Sequence, residues 1–302
     1  MADTKTEPIW LPAWLTRVAL ASSVGYWAAA WTVSRWLTRP TPGAPERTPG
    51  DHGLCWQPLE CRTEDGFRLH GWVVTPDRPR GTVVLFHGLR HNRAQTLERT
   101  LFLTGAGYRC VAFDHRAHGE STGKRSSFGY FESRDVLAVL GLVERCWPHA
   151  PKAVLGLSMG GAAVCYAASR LPRVDAVILE SVYLDIARAF RTRIGADFPA
   201  WFQQLGDGVV RATERRLGLC LDDLAPVNYV SALLPAPVLF LTGTADAHAS
   251  PADTQRLFDR YGGPRELVFI PDAGHRDVCA VGGERYRDQI LGFLERNLTL
   301  KN

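Results

Sequence analysis

The residues of this chain best suited to chemistry form the run Gly156-Leu157-Ser158-Met159-Gly160. A serine hydroxyl is a weak nucleophile until a neighbouring base takes its proton. Glycines two residues to either side mark a turn so sharp that incoming strand and outgoing helix pass too closely for a Cβ. The base is sought among nine histidines. His275, in Pro271-Asp272-Ala273-Gly274-His275, follows the last apolar strand-like run and is the candidate. An imidazole needs an acid to hold its tautomer. Asp246, in Gly243-Thr244-Ala245-Asp246, follows the preceding run; Glu180, Asp272 and Asp277 are its rivals, Glu180 the foremost.

Attack on a carbonyl also needs donors for the oxyanion. The N–H of Met159, just after the nucleophile, is one expected donor. The second is sought in His87-Gly88-Leu89-Arg90, with the Leu89 N–H preferred. His87 is read as a brace for this loop. His87, Gly88, Tyr183 and Trp201 are expected to border the substrate. His87, His91, His115 and His118 have loose spacings and no carboxylate cluster, so no metal is expected. Glu132 and Asp135 read as capping or dipole-matching residues at a helix start.

These groups need a scaffold that presents them on one face. Gln57–Arg62 and Phe67–Val74 read as a hairpin around Glu64-Asp65-Gly66. Apolar runs at Thr82–Phe86, Tyr108–Phe113, Lys152–Leu157, Val174–Leu179, Pro237–Leu241 and Glu266–Ile270 read as buried strands. Helical patterns fall between them: about 92–103, Phe131–Arg145, Met159–Arg170, about 252–261 and about 284–297. Such alternation predicts an α/β fold, a mostly parallel sheet covered on both faces, with the hairpin as antiparallel edge. Ser158, Asp246 and His275 then lie on loops at strand carboxyl ends.

Two segments fall outside this rhythm. Between Ser181 and Pro237 lie more than 50 residues, too many for a plain crossover. This insertion, about 182–235, carries Tyr183, Phe190, Phe198, Trp201 and Phe202 and reads as a helical lid. Residues 1–50 hold five of the nine tryptophans, and Val18 to Ser34 is uncharged. Seventeen helical residues span about 25 Å, the lower limit for crossing a bilayer. The leading expectation is a single membrane anchor followed by a Pro-rich linker at 40–50, with the domain at 51–302 on the cytoplasmic side. An interfacial helix and a helix packed on the domain are the alternatives.

The chain has 302 residues, 46% hydrophobic and 22% charged, which suits one large α/β domain. The formal charge of +4 is spread along the chain, without zinc-finger or RNA-binding patterns, so no nucleic-acid partner is expected. Seven cysteines without a C-x-x-C pair read as free thiols in a reducing compartment, with a Cys55–Cys61 disulfide as the alternative.

Taken together, the motifs resemble the α/β-hydrolase superfamily. The likeness is to its serine aminopeptidase and monoacylglycerol-lipase-like branch, of the type anchored to a membrane at the amino terminus. The residues that carry it are His87-Gly88, Asp114-His115-Arg116-Ala117-His118-Gly119-Glu120-Ser121, the serine run through Gly161, Asp246 and Ala273-Gly274-His275. The family usually has glycine where Ala117 stands, and Val-Pro shortly after the acid-loop aspartate. The resemblance implies a Ser158–Asp246–His275 triad acting on acyl compounds, with no cofactor. A carboxylic ester, small or lipid-like, is the expected substrate. Thioesterase, amidase or peptidase, and lysophospholipase or monoacylglycerol lipase share the same triad. A non-catalytic, membrane-tethered binding protein is the alternative of another class. The oligomeric state stays open.

Overall fold

The computed structural model describes residues 13–189, 200–220 and 223–298. Eight strands form one sheet: β1 (Trp56–Arg62), β2 (Arg68–Val74), β3 (Thr82–Phe86), β4 (Arg109–Phe113), β5 (Lys152–Leu157), β6 (Ala176–Glu180), β7 (Val238–Gly243) and β8 (Arg265–Ile270). Their spatial order is β1-β2-β4-β3-β5-β6-β7-β8. β2 runs antiparallel to both β1 and β4; every other pairing is parallel. Parallel neighbours require crossovers, and these are helical: α2 (Leu97–Gly105), α3 (Ser133–Cys146), α4 (Met159–Ala167) and α6 (Pro251–Arg260), with α7 (Val278–Asn297) last.

Side-chain alternation explains why the central strands are apolar throughout. In β3, Val83 and Leu85 point to one face, with Leu103 of α2 and Tyr286, Ile290 and Phe293 of α7. Val84 and Phe86 point to the other, with Val136, Val139 and Leu140 of α3 and Ala162 and Ala163 of α4. Each strand therefore feeds two cores. All seven cysteines are free. Burial pushes the thiols of Cys61, Cys110, Cys165 and Cys279 up to about 12, so they act as small apolar side chains.

The amino-terminal segment departs from the leading expectation. Its helix α1 (Ala13–Leu37) contains Arg17 and Arg35 and is interrupted by serines and threonines. Among the described residues, no helix is long and apolar enough to cross a membrane. Instead α1 lies along α5 (Ala200–Leu217) of the insertion. Ala30 meets Val209 and Ala212, small enough for close approach. A Cβ on Gly208 would stand 2.5 Å from the Tyr26 hydroxyl, so α5 has none there. Thr213 Oγ1 donates to Ser34 Oγ at 3.0 Å, and Arg216 Nε to Thr38 Oγ1 at 2.7 Å. This corresponds to the packed-helix alternative.

The Pro-rich stretch is likewise docked. The Thr41 and Gly43 amides donate to the carbonyls of Ala117 and Gly119, at 2.7 and 3.0 Å. The boundary near residue 50 is thus crossed by backbone hydrogen bonds.

Candidate active site

The carboxyl ends of β5, β6, β7 and β8 gather the chemistry. Ser158 joins β5 to α4 at φ 49°, ψ −110°, a conformation costing a non-glycine residue about 1–3 kcal/mol. Close packing enforces it. A Cβ on Gly156 would stand 2.5 Å from Gly161 Cα, and one on Gly160 would stand 2.5 Å from the Phe86 carbonyl oxygen. The second contact refines the sequence argument, since Gly160 makes room for β3 rather than β5.

Ser158 Oγ lies 3.0 Å from His275 Nε2. His275 Nδ1 lies 2.9 and 3.1 Å from the two oxygens of Asp246. Asp246 Oδ1 accepts the His248 and Ala249 amides at 2.8 Å each, and the Thr242 hydroxyl stands 3.1 Å from Oδ2. Burial alone would raise the Asp246 carboxyl. The hydrogen bond and charge of His275, with the two amides, outweigh it and hold the group below the usual carboxylate range.

Asp246 and His275 sit on separate loops that are sewn together. The Ala245 amide donates to Ala273 O at 2.9 Å, and the Asp272 amide to Thr244 Oγ1 at 2.8 Å. Gly243 allows this approach, because a Cβ there would lie 2.0 Å from the Ala273 oxygen. No local pattern in the sequence announced this glycine.

The rival acids have other partners. Glu180 is buried against the Arg99 guanidinium and the Tyr286 hydroxyl, with Arg99 Nε at 3.1 Å. Asp277 accepts the Gly274 amide at 2.7 Å, steadying the histidine loop. Asp272 is exposed.

A cavity of about 660 Å³ opens over Ser158 and His275. Leu89, Met159, Gly88 and Tyr183 line it. The Met159 amide belongs to the first turn of α4, where N–H groups have no partner within the helix. The Leu89 amide is oriented from below. His87 Nε2 stands 3.0 Å from the His115 amide, which leaves Nδ1 to donate to Gly88 O at 2.7 Å. A trans peptide points its C=O and N–H oppositely, so drawing Gly88 O inward turns the Leu89 N–H outward. Gln95 Oε1 holds the Gly88 amide at 2.7 Å, a contact sequence reasoning missed.

Two expectations need correction. His87 is fully buried and cannot border a substrate; burial and the neighbouring His115 and His118 keep it neutral. Glu132 does not cap α3. Its carboxylate instead accepts the Ser127 and Gly129 amides and the Ser126 and Ser127 hydroxyls, shaping the loop at Phe128. Tyr183, also on the cavity wall, donates its hydroxyl to Phe128 O. Trp201 lies on α5, but its side chain is outside the described residues, as are Phe190 and Phe198.

The loop after β4 braces His87. Its Asp114 accepts the Arg93 and Glu120 amides, at 2.7 and 2.9 Å, and pairs with the Arg93 guanidinium. Ala117 holds φ 60°, a left-handed conformation costing roughly 1–2 kcal/mol. Among the described residues, no group of three or more His, Cys, Asp or Glu side chains could hold a metal ion.

The chain is similar to known proteins in sequence and in fold. Residues 77–226 match the sequence model of the serine aminopeptidase family, S33. The uncharacterized protein YqkD of Bacillus subtilis is 25% identical over 238 residues, covering 76% of each chain. The protein bem46 of Schizosaccharomyces pombe is 26% identical over 257 residues, covering 83% of this chain and 80% of its own. The Pyrococcus furiosus esterase Pf2001 superposes with a TM-score of 0.74 at 23% identity, covering 87% of this chain and 98% of its own. Sheet order, crossover helices and these likenesses agree, and the chain has the α/β-hydrolase fold.

Proposed function

We propose that this protein is a serine hydrolase of the serine aminopeptidase-like branch that cleaves carboxylic esters through Ser158, His275 and Asp246. The observation that carries the reading is the unbroken relay from Ser158 Oγ through His275 to Asp246, opening into the cavity. His275 Nε2 takes the Ser158 proton as Oγ attacks the carbonyl carbon. The Leu89 and Met159 amides receive the oxyanion. As the tetrahedral intermediate collapses, the C–O bond to the alcohol breaks and His275 returns the proton to the leaving oxygen. Water then attacks the acyl-enzyme by the same route, and the carboxylic acid leaves. Asp246 holds Nδ1–H and stabilises the imidazolium. The name of the Pyrococcus furiosus neighbour supports an ester, and the apolar part of the cavity supports an apolar acyl chain.

A fluorophosphonate probe should label the wild type at Ser158, and Ser158→Ala should not label. p-Nitrophenyl ester hydrolysis by Ser158→Ala should fall by roughly 10⁴-fold or more. Equal labelling of both proteins, or none of the wild type, would overturn the reading.

A further inference from the structure

The cavity has two unlike walls. Phe128, Met159, Tyr183, Ile186 and Ala189 form one, above the core that α3 and α4 cover. The other rises over α2. It carries His91, Glu98 and Arg99, interleaved with Ala94, Leu97 and Leu101, from the segment leading into and through α2, with Arg276 beside them. Arg47 and His52 add to it, since the turn Pro49–His52 lies against α2. Ser158 sits where the walls meet.

The charges on the second wall do not balance. Arg99 and Glu180 neutralise each other in a buried pair. Glu98 then stands against Arg47 and Arg276, both exposed, with Asp51 offsetting part of the Arg47 charge, and the excess on the lining stays positive. His91 belongs to the same field. Burial first, then the charges of Arg276 and His275, hold its imidazole below the usual histidine range. It is a neutral donor among cations.

Chemistry decides which end of an ester faces which wall. His275 hands its proton to the leaving alcohol, so that alcohol lies on the His275 side. Arg276 is the next residue. The acyl chain then takes the apolar wall. We propose that the substrate joins an apolar acyl chain to an alcohol that bears a negative charge, and that Arg276 and Arg47, with His91, recognise that charge. This inference rests on the serine-hydrolase reading and adds the substrate class to it.

The test uses two octanoyl esters of matched size. One has 4-hydroxybenzenesulfonate as its alcohol, charged; the other has 4-hydroxybenzenesulfonamide, neutral. In low salt the charged ester should show a roughly fivefold higher kcat/KM, the scale of a few exposed charge contacts. The advantage should fade at about 0.5 M salt, where screening reaches a few ångströms. Arg276→Gln and Arg47→Gln should each lower the charged-to-neutral ratio, and the double variant Arg47→Glu/Arg276→Glu should bring it below one. Both side chains are exposed, so folding is unaffected, which a thermal melt checks. A third ester, p-nitrophenyl hydrogen octanedioate, carries its charge on the acyl end and should be hydrolysed more slowly than p-nitrophenyl octanoate. Equal rates for the two sulfonyl esters at low salt, or preference for the acyl-end charge, would overturn the inference while the serine-hydrolase reading stands. Labelling of Ser158 with no turnover of either sulfonyl ester would also overturn it. Neither labelling nor turnover would remove both.

Discussion

Asp246 and Glu180 belong to neighbouring strand ends, after β7 and at the end of β6, and each is only 3% exposed. Both are buried carboxylates at the carboxyl edge of one sheet, and their surroundings divide them. Asp246 is met by two amides, a hydroxyl and one side of an imidazole whose other nitrogen reaches Ser158. Glu180 is met by a guanidinium and a phenol. An imidazole can gain and lose a proton near neutral pH, whereas arginine stays charged. Position at a strand end is therefore not enough to assign the acid; the proposed role goes to Asp246 because its partner can exchange a proton.

The sharpest way to break this comparison is to neutralise each carboxylate in turn. Asp246→Asn should lower kcat for ester hydrolysis by about 10⁴-fold while Ser158 stays in place, because the amide favours the wrong imidazole tautomer. Glu180→Gln should act on folding, leaving the Arg99 charge buried without a counter-ion at a cost of about 3–5 kcal/mol, read in urea unfolding. If Glu180→Gln cost more activity per folded molecule than Asp246→Asn, the roles would be reversed. Gly243→Ala should part the loops of the acid and the base, and a displacement near 1 Å costs about 10²-fold in rate. The smallest effect concerns pH. The Asp246 carboxyl is lowered on folding, so it adds stability above the unfolded value of about 3.9, and that stability is lost as pH falls through the folded value. Between pH 5 and pH 3 the wild type should lose more unfolding free energy than Asp246→Asn.

The sequence was most informative where chemistry is local. The Ser158 turn, the Asp246 loop and the His275 loop each announce themselves within a few residues, and apolar runs place them at strand ends. The α/β sheet with its antiparallel edge was legible for the same reason, since buried parallel strands are apolar throughout. Partners far apart in the chain were not legible. Arg99 and Tyr286, which occupy Glu180, lie 81 and 106 residues from it. Gly243 needs Ala273, a contact made only after β7 and β8 pair. For α1, its tryptophans and uncharged stretch suit a bilayer, and only packing against α5 reveals why Ser34 and Ala30 stand where they do. Glu132 shows the limit at short range, because a carboxylate at a helix start can turn back to the preceding loop as readily as forward to the helix.

The stitching between the acid and base loops has a consequence for motion. Ala245 to Ala273 and Thr244 to Asp272 make the two loops one mechanical body, whereas Ser158 rides on the β5–α4 turn. Displacements of that body carry Asp246 and His275 together. Relative movement between that body and the β5–α4 turn would then fall on the 3.0 Å gap between His275 and Ser158, the distance the proposed proton transfer depends on.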